Sequence, residues 1–330
     1  MSPEQYIRRT FELALKGLGK TWPNPLVGAV IVKNGKVIGE GFHLQYGHDH
    51  AELCALKNCS ESAAGATIYV NLEPCCHTNK QTPPCAQRLI EEKISKVVIC
   101  NLDPNPLVNG KGVELLRSHG IEVQHGLLAE EGEKLNEVFF LSQRLRRPFI
   151  YLKMASTLDG RIALPNGESQ WITGEESRAH VHTLRSQHQV VMVGAETFRK
   201  DNPKLNVRLP CYDGPQPYRA IISASGNLPK DSQHEKTLIY TSIEDAMKDL
   251  FERKLISILL EGGPRLAGSF MAKGLIDRVG IFLNPSFLGA GPSVIENLEL
   301  KSLSERPFLE DLQSSTYGPD IFLTGRFKKA

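Results

Sequence analysis

Short apolar runs alternate with stretches of helical periodicity along nearly the whole chain, and that alternation confines it to an α/β architecture. Residues 3–20 carry Ile7, Phe11, Ala14, Leu15 and Leu18 at three- and four-residue spacing behind Ser2, the pattern of a capped amphipathic helix. Residues 26–32 and 36–42 flank Asn34-Gly35; both turn residues tolerate positive φ, so the pair predicts a tight antiparallel hairpin. A short helix from about residue 51, a strand over 67–72, a helix from about residue 84 and a strand over 97–101 come next. A helix over 113–119, a strand over 121–124 and one helix over about 129–144 complete an α/β sandwich.

Arg144-Leu145-Arg146-Arg147-Pro148 is basic, closes on proline and reads as a junction, which gives domains over 1–147 and 148–330. A length of 330 residues agrees with two domains of roughly 150 residues each. Apolar runs at 149–155, 190–193, 220–222, 238–241 and 256–260, again separated by helical patterns, make the second half α/β as well. No run approaches the roughly 20 apolar residues that span a bilayer, and the first residues lack a basic stretch followed by an apolar core. The expected location is cytoplasmic, with no membrane partner. A net charge of +2 is too small for the basic field that binds a phosphate backbone, so no nucleic acid partner is expected. Stoichiometry is left open, a homo-oligomer included.

Seven cysteines form an odd set, six of them in the first hundred residues, a skew that fits a local metal site in a reducing compartment better than disulfides. Cys54 and Cys59 stand at helical spacing among apolar residues and are read as packing; Cys100 ends a strand and Cys211 lies in a polar loop. His50-Ala51-Glu52 precedes Glu73-Pro74-Cys75-Cys76-His77, and Thr82-Pro83-Pro84-Cys85 completes the set. A catalytic zinc keeps three protein ligands and an open position for water, whose pKa it lowers towards neutrality. His50, Cys75 and Cys85 supply the three ligands, and Glu52 is the proton shuttle. His-x-Glu followed by Pro-Cys and a later Cys is the general signature of zinc deaminases, except that residues 76–84 here separate the two ligand thiols.

These segments, with Trp22-Pro23-Asn24-Pro25-Leu26-Val27-Gly28, Leu72-Glu73-Pro74-Cys75 and Asp103-Pro104-Asn105-Pro106, resemble the bifunctional riboflavin-biosynthesis deaminase/reductase family over nearly the whole chain. The resemblance implies a cytidine-deaminase-like α/β/α sandwich followed by a dihydrofolate-reductase-like α/β domain, with Zn2+ and NADPH as cofactors. In that family the loop between the cysteines is generally one residue shorter and a serine follows the first of them. Cys76 takes the serine's place and Gln81 looks like the insertion, leaving Cys75 as ligand and Cys76 as the competing thiol. By the same resemblance Asn24, His43, His77 and Lys80 line the pyrimidine and phosphate pocket. The implied substrate is 2,5-diamino-6-ribosylamino-4(3H)-pyrimidinone 5′-phosphate, deaminated at its 2-amino group; the product's ribose is then reduced to ribityl.

In the second half, Lys153-Met154-Ala155-Ser156-Thr157-Leu158-Asp159-Gly160-Arg161 resembles the opening of reductases with a dihydrofolate-reductase-like fold. Glu261-Gly262-Gly263-Pro264 joins a strand to a helix, either as a phosphate cradle or as a plain tight turn, and lacks the Gly-x-Gly-x-x-Gly fingerprint. The resemblance implies cofactor contacts at Ala155, Trp171, Thr197, Asp201, Gly263, Pro264, Arg265, Leu266, Ala267, Gly268 and Ser269. It implies ribosyl-phosphate contacts at Ser169, Arg185, Leu205, Arg208 and Glu261. Arg199 and Lys200 are either partners of the cofactor's 2′-phosphate or solvated charges. Ser223-Ala224 stand where the family has Asp-Ser, which puts one cofactor contact in question. Two rivals remain: a nucleoside or tRNA deaminase with an unrelated second domain, and a closed four-ligand zinc module; ammonia release separates catalysis from the latter.

Overall fold

The computed structural model describes residues 1–76, 84–106, 108–226, 228 and 235–327. The chain divides into two compact units, Met1–Arg146 and Arg147–Ala330.

In the first unit α1 (Pro3–Leu15) opens on a capping box in which the Ser2 hydroxyl accepts from Gln5 N–H and the Gln5 side chain accepts from Ser2 N–H. The helix stops short of residue 20 because Leu18 N–H and Lys20 N–H turn to the carbonyls of Leu15 and Gly17 (3.1 and 3.0 Å). β1 (Gly28–Lys33) and β2 (Lys36–Phe42) form the hairpin around Asn34 and Gly35, with φ of 51° and 74°. α2 (Ala51–Lys57), β3 (Thr67–Leu72), α3 (Cys85–Glu91), β4 (Lys96–Asn101), α4 (Lys111–Ser118) and β5 (Glu122–His125) follow. The sheet order is β2-β1-β3-β4-β5, antiparallel across β1 and parallel from β3 to β5.

Period-two alternation covers both faces of this sheet. Ala29, Ile31, Ile68, Val70, Val97 and Ile99 pack with Ala51, Ala55, Ala86, Leu89 and Leu116 from α2, α3 and α4. Val30, Val32, Tyr69 and Val98 meet Tyr6, Ile7 and Leu13 of α1 on the other face. Gly41 lets α2 lie directly on β2: a Cβ there would stand 2.3 Å from Ala55 N and 2.5 Å from Ala51 O. The helix expected over 129–144 is two helices, α5 (Ala129–Leu135) and α6 (Glu137–Leu145), broken at Asn136. The break turns the buried Asn136 amide onto Leu26, accepting from its N–H and donating to its carbonyl, both at 2.8 Å.

The second unit runs β6 (Phe149–Thr157), α7 (Glu175–Ser186), β7 (Val190–Gly194), α8 (Ala195–Asp201), β8 (Tyr218–Ile222), β9 (Thr237–Tyr240), α9 (Ile243–Glu252), β10 (Ser257–Leu260), α10 (Pro264–Ala272), β11 (Arg278–Asn284), β12 (Leu309–Tyr317) and β13 (Asp320–Phe327). Its sheet order is β12-β13-β11-β6-β10-β7-β8-β9, parallel from β11 to β9, with β13 and β12 antiparallel at one edge. Val190 and Met192 face one apolar cluster, Val191 and Val193 the other. Three further strands follow residue 277, beyond the apolar runs read from the sequence; of these β12 is exposed along nearly its whole length and has no buried face to impose a pattern.

Candidate functional site

Three local transitions meet in the first unit. His50 is the residue before α2, Cys75 follows the end of β3, and Cys85 opens α3. One donor atom from each lies within 4.8 Å of the others. His50 Nδ1 is 3.2 Å from Cys85 Sγ and 3.6 Å from Cys75 Sγ, and Cys85 N–H donates to Cys75 Sγ at 3.4 Å. Cys76 is half-buried and packs against the apolar cluster under α2, α3 and α4.

Glu52, in the first turn of α2, is buried, and its Oε2 has no hydrogen-bond partner. Burial pushes this carboxyl up, with His50 opposing the shift. The Cys85 thiol is driven well above its ordinary range, first by its hydrogen bond with Cys75, then by burial, then by Glu52. Two thiols, an imidazole and an acid crowded in a dry place disfavour deprotonation, and a bound dication reverses that balance. The donor set and the orphaned carboxylate oxygen beside it therefore fit zinc.

Asn24 and His43 stand next to this group. His43 is buried; its Nδ1 donates to the Asp49 carbonyl (3.0 Å), which leaves Nε2 to accept from Asn24 Nδ2 (3.1 Å). Its ring meets that of His50 edge-on, with centroids 5.4 Å apart. His77, Lys80 and Gln81 lie outside the described residues.

The second unit holds a cavity of about 810 Å³. It opens at the carboxyl side of the parallel strands, where Glu261 follows β10, the usual place for a site in an α/β sheet. Ser169, Trp171, Thr197, Asp201, Arg185, Leu205, Arg208 and Glu261 all line it. Arg185 and Glu261 form a bidentate pair at 2.7 and 2.9 Å. Burial alone would raise the Glu261 carboxyl; Arg185, and after it Lys153, more than offset this and hold it below the usual range. Ala155 and residues 263–269 are not among the lining residues. Gly263 is nevertheless close, since a Cβ there would lie 3.3 Å from Thr197 Oγ1, and it caps α10 with Pro264 at the first helical position. Arg265 is exposed and reaches Glu296 at 3.3 Å and Glu196 at 3.6 Å, while the Ser269 hydroxyl donates to Arg265 O. Lys200 Nζ donates to Gly167 O at 2.6 Å, and the buried Ser223 hydroxyl has no partner.

Four further basic residues that went unnoticed in the sequence line the cavity: the cations Lys153, Arg178 and Lys204, and the imidazole of His182, whose pKa burial lowers. A signal for two of them was present, because Arg178, His182 and Arg185 share one face of α7 at helical spacing. Arg178 donates to Thr173 O (2.6 Å) and lies over the Trp171 ring at 4.7 Å. Lys153 sits inside an apolar strand, where its burial lowers its pKa against the pull of Glu261.

Comparison with known proteins agrees with both units. Residues 1–101 match the cytidine and deoxycytidylate deaminase zinc-binding region, and residues 148–323 match the RibD C-terminal domain. The riboflavin biosynthesis protein RibD of Actinobacillus pleuropneumoniae is 42% identical over 98% of this chain and 95% of its own. A solved structure of Acinetobacter baumannii RibD superposes with a TM-score of 0.92 at 35% identity, covering 99% of both chains. A diaminohydroxyphosphoribosylaminopyrimidine deaminase/5-amino-6-(5-phosphoribosylamino)uracil reductase from Thermotoga maritima gives 0.87 at 37% identity, again over 99% of both. Fold and site thus define a two-part enzyme that joins a zinc-binding deaminase of the cytidine-deaminase type to a reductase of the NADPH-dependent type. The chain belongs to the RibD family, the bifunctional deaminase/reductases of riboflavin biosynthesis. Among the described residues no helix is long and apolar enough to cross a membrane.

Proposed function

We propose that residues 1–147 deaminate 2,5-diamino-6-ribosylamino-4(3H)-pyrimidinone 5′-phosphate and that residues 148–330 reduce the resulting 5-amino-6-(5-phosphoribosylamino)uracil to its ribityl form. The observation that carries the deaminase half is Glu52 Oε2, buried and unpartnered beside His50, Cys75 and Cys85. These three residues would hold zinc, which would supply a water of lowered pKa. Glu52 Oε2 would carry two protons in turn, the first from the attacking water to the ring nitrogen and the second from the new hydroxyl on the ring carbon to the departing amine; its raised pKa suits a group that both accepts and donates. Asn24 and His43 orient the pyrimidine, and His77 and Lys80 are assigned to the same pocket on family resemblance alone.

In the reductase, NADPH supplies the hydride. Thr197, Asp201, Trp171, Ala155 and residues 263–269 are assigned to the cofactor, with the α10 N-terminus facing its phosphates. Ser169, Arg185, Leu205, Arg208 and Glu261 are assigned to the ribosyl phosphate. The small net charge supports a small phosphorylated pyrimidine as the partner rather than nucleic acid, and we place the enzyme in the cytoplasm, with homo-oligomers allowed. Chelation tests the division of labour: stripping zinc should stop ammonia release while NADPH-dependent reduction of the deaminated substrate continues. Loss of both activities together, or of neither, would contradict it.

A further inference from the structure

We infer that Glu73 is a positioning residue of the deaminase centre, latching the Asp103-Pro104-Asn105-Pro106 loop and the start of α4 onto the turn that presents Cys75; this rests on the zinc reading proposed above. Glu73 is buried at 3% exposure, and its two carboxylate oxygens accept four backbone N–H groups. Oε2 takes Asp103 N–H at 3.2 Å and Gly110 N–H at 2.9 Å; Oε1 takes Gly112 N–H at 2.9 Å and Val113 N–H at 3.2 Å. Four donors converging on one side chain match the acceptor capacity of a carboxylate and of no other residue. Gly112 and Val113 open α4, so the same carboxylate fills the role of the missing side-chain cap there.

The latch bears directly on the ligand. Only Pro74 separates Glu73 from Cys75, and Gly112 is so close to that turn that a Cβ on it would sit 2.4 Å from Pro74 O. The Glu73 N–H is itself tied to Asn101 O at 2.9 Å. Past the thiol, Cys75 O accepts from Ala86 N–H at 3.1 Å and Cys75 Sγ from Cys85 N–H at 3.4 Å. Cys75 is therefore held between α3 on one side and the Glu73 latch on the other. The Asp103-Pro104-Asn105-Pro106 motif gains a physical purpose: Asp103 Oδ1 accepts from Asn105 N–H at 2.8 Å, a turn that offers the Asp103 N–H to Glu73. A metal site tolerates about 0.5 Å of ligand displacement, so release of this turn is felt at the thiolate.

The test uses two variants of the full chain. Glu73→Gln replaces one acceptor oxygen by an amide that points hydrogens at N–H donors; Gly112→Ala keeps the carboxylate's chemistry but places a Cβ 2.4 Å from Pro74 O and 3.0 Å from Glu73 Oε1, forcing the start of α4 off the latch. Zinc transfer to a coloured chelator, the visible spectrum of the cobalt-substituted protein, deaminase kcat and KM, and reductase turnover are measured on each. We expect reductase turnover within about twofold of the parent. Zinc release should accelerate and deaminase kcat fall on the order of 10- to 100-fold, the usual effect of groups that orient metal ligands. The thiolate-to-cobalt bands should shift in both variants. Parental release rate, cobalt spectrum and kcat in both would overturn the inference, even with a lowered melting temperature, because Glu73 would then be scaffold only. If Glu73→Gln fails to fold, Gly112→Ala decides on the same readouts. Cys75→Ser separates the two levels: zinc retained in that variant removes the ligand assignment itself, whereas zinc lost there with a parental Glu73→Gln removes only the latch.

Discussion

Replacing Arg185 with methionine leaves Glu261 buried without its bidentate partner. Side-chain exposures of 12% and 10% place both groups out of solvent, where removing one member of an ion pair costs about 3–5 kcal/mol. With a urea dependence of about 2 kcal/mol per molar, the unfolding midpoint of the second unit falls by roughly 1.5–2.5 M. The pH trend inverts as well. In the parent the Glu261 carboxyl is held below its ordinary range, so its contribution is fully present above the unfolded-state pKa and is lost as pH falls through the folded value. In Arg185→Met burial remains, opposed chiefly by Lys153, and lifts the carboxyl above its unfolded value. The folded state then binds the extra proton, and stability falls as pH rises from about 4 towards neutrality. Trp22 and Trp171 are the only tryptophans, so Trp171 fluorescence in a Trp22→Phe background reports on the second unit alone. A loss under about 1 kcal/mol combined with the parental pH trend would refute the reasoning.

Cys75→Ser should lose bound zinc and deamination while Cys76→Ser keeps both, as read by metal analysis; the opposite pattern would move the ligand to Cys76. Glu52→Gln should retain zinc yet lower the deamination rate on the order of a hundred- to ten-thousand-fold, because an amide carries no proton, and parental turnover would remove Glu52 from the mechanism. Asn136→Ala should destabilise the first unit by about 1–3 kcal/mol in thermal unfolding, since the buried Leu26 N–H loses its partner while the Leu26 carbonyl keeps Asn71 Nδ2.

Much of this architecture is legible locally. Asn34-Gly35 announces its hairpin because the turn needs two positive φ angles, and the sheets show through as alternating apolar runs. The His50, Cys75 and Cys85 cluster was readable because metal chemistry restricts residue type. What escaped depends on partners distant in sequence. The helical pattern runs unbroken through Asn136, whose reason for leaving the helix is Leu26, 110 residues away. Glu73 is an ordinary residue until Asp103 and Gly110, 30 and 37 positions on, deliver their N–H groups. Lys153 hides in an apolar strand because the cavity that receives it forms only when β10 brings Glu261 alongside. β12 fails for the opposite reason: an exposed edge strand carries no buried face to betray it.

The central claim is that one chain deaminates first and reduces second. Its most direct test gives the full-length enzyme the diaminopyrimidinone ribosyl phosphate without NADPH, follows ammonia until it stops, then adds NADPH and follows its absorbance. The account predicts one ammonia per substrate in the first stage with the ribosyl group intact, then one NADPH oxidised per ammonia already released. NADPH consumed by substrate that has released no ammonia, or ammonia released with no later NADPH oxidation, would contradict it.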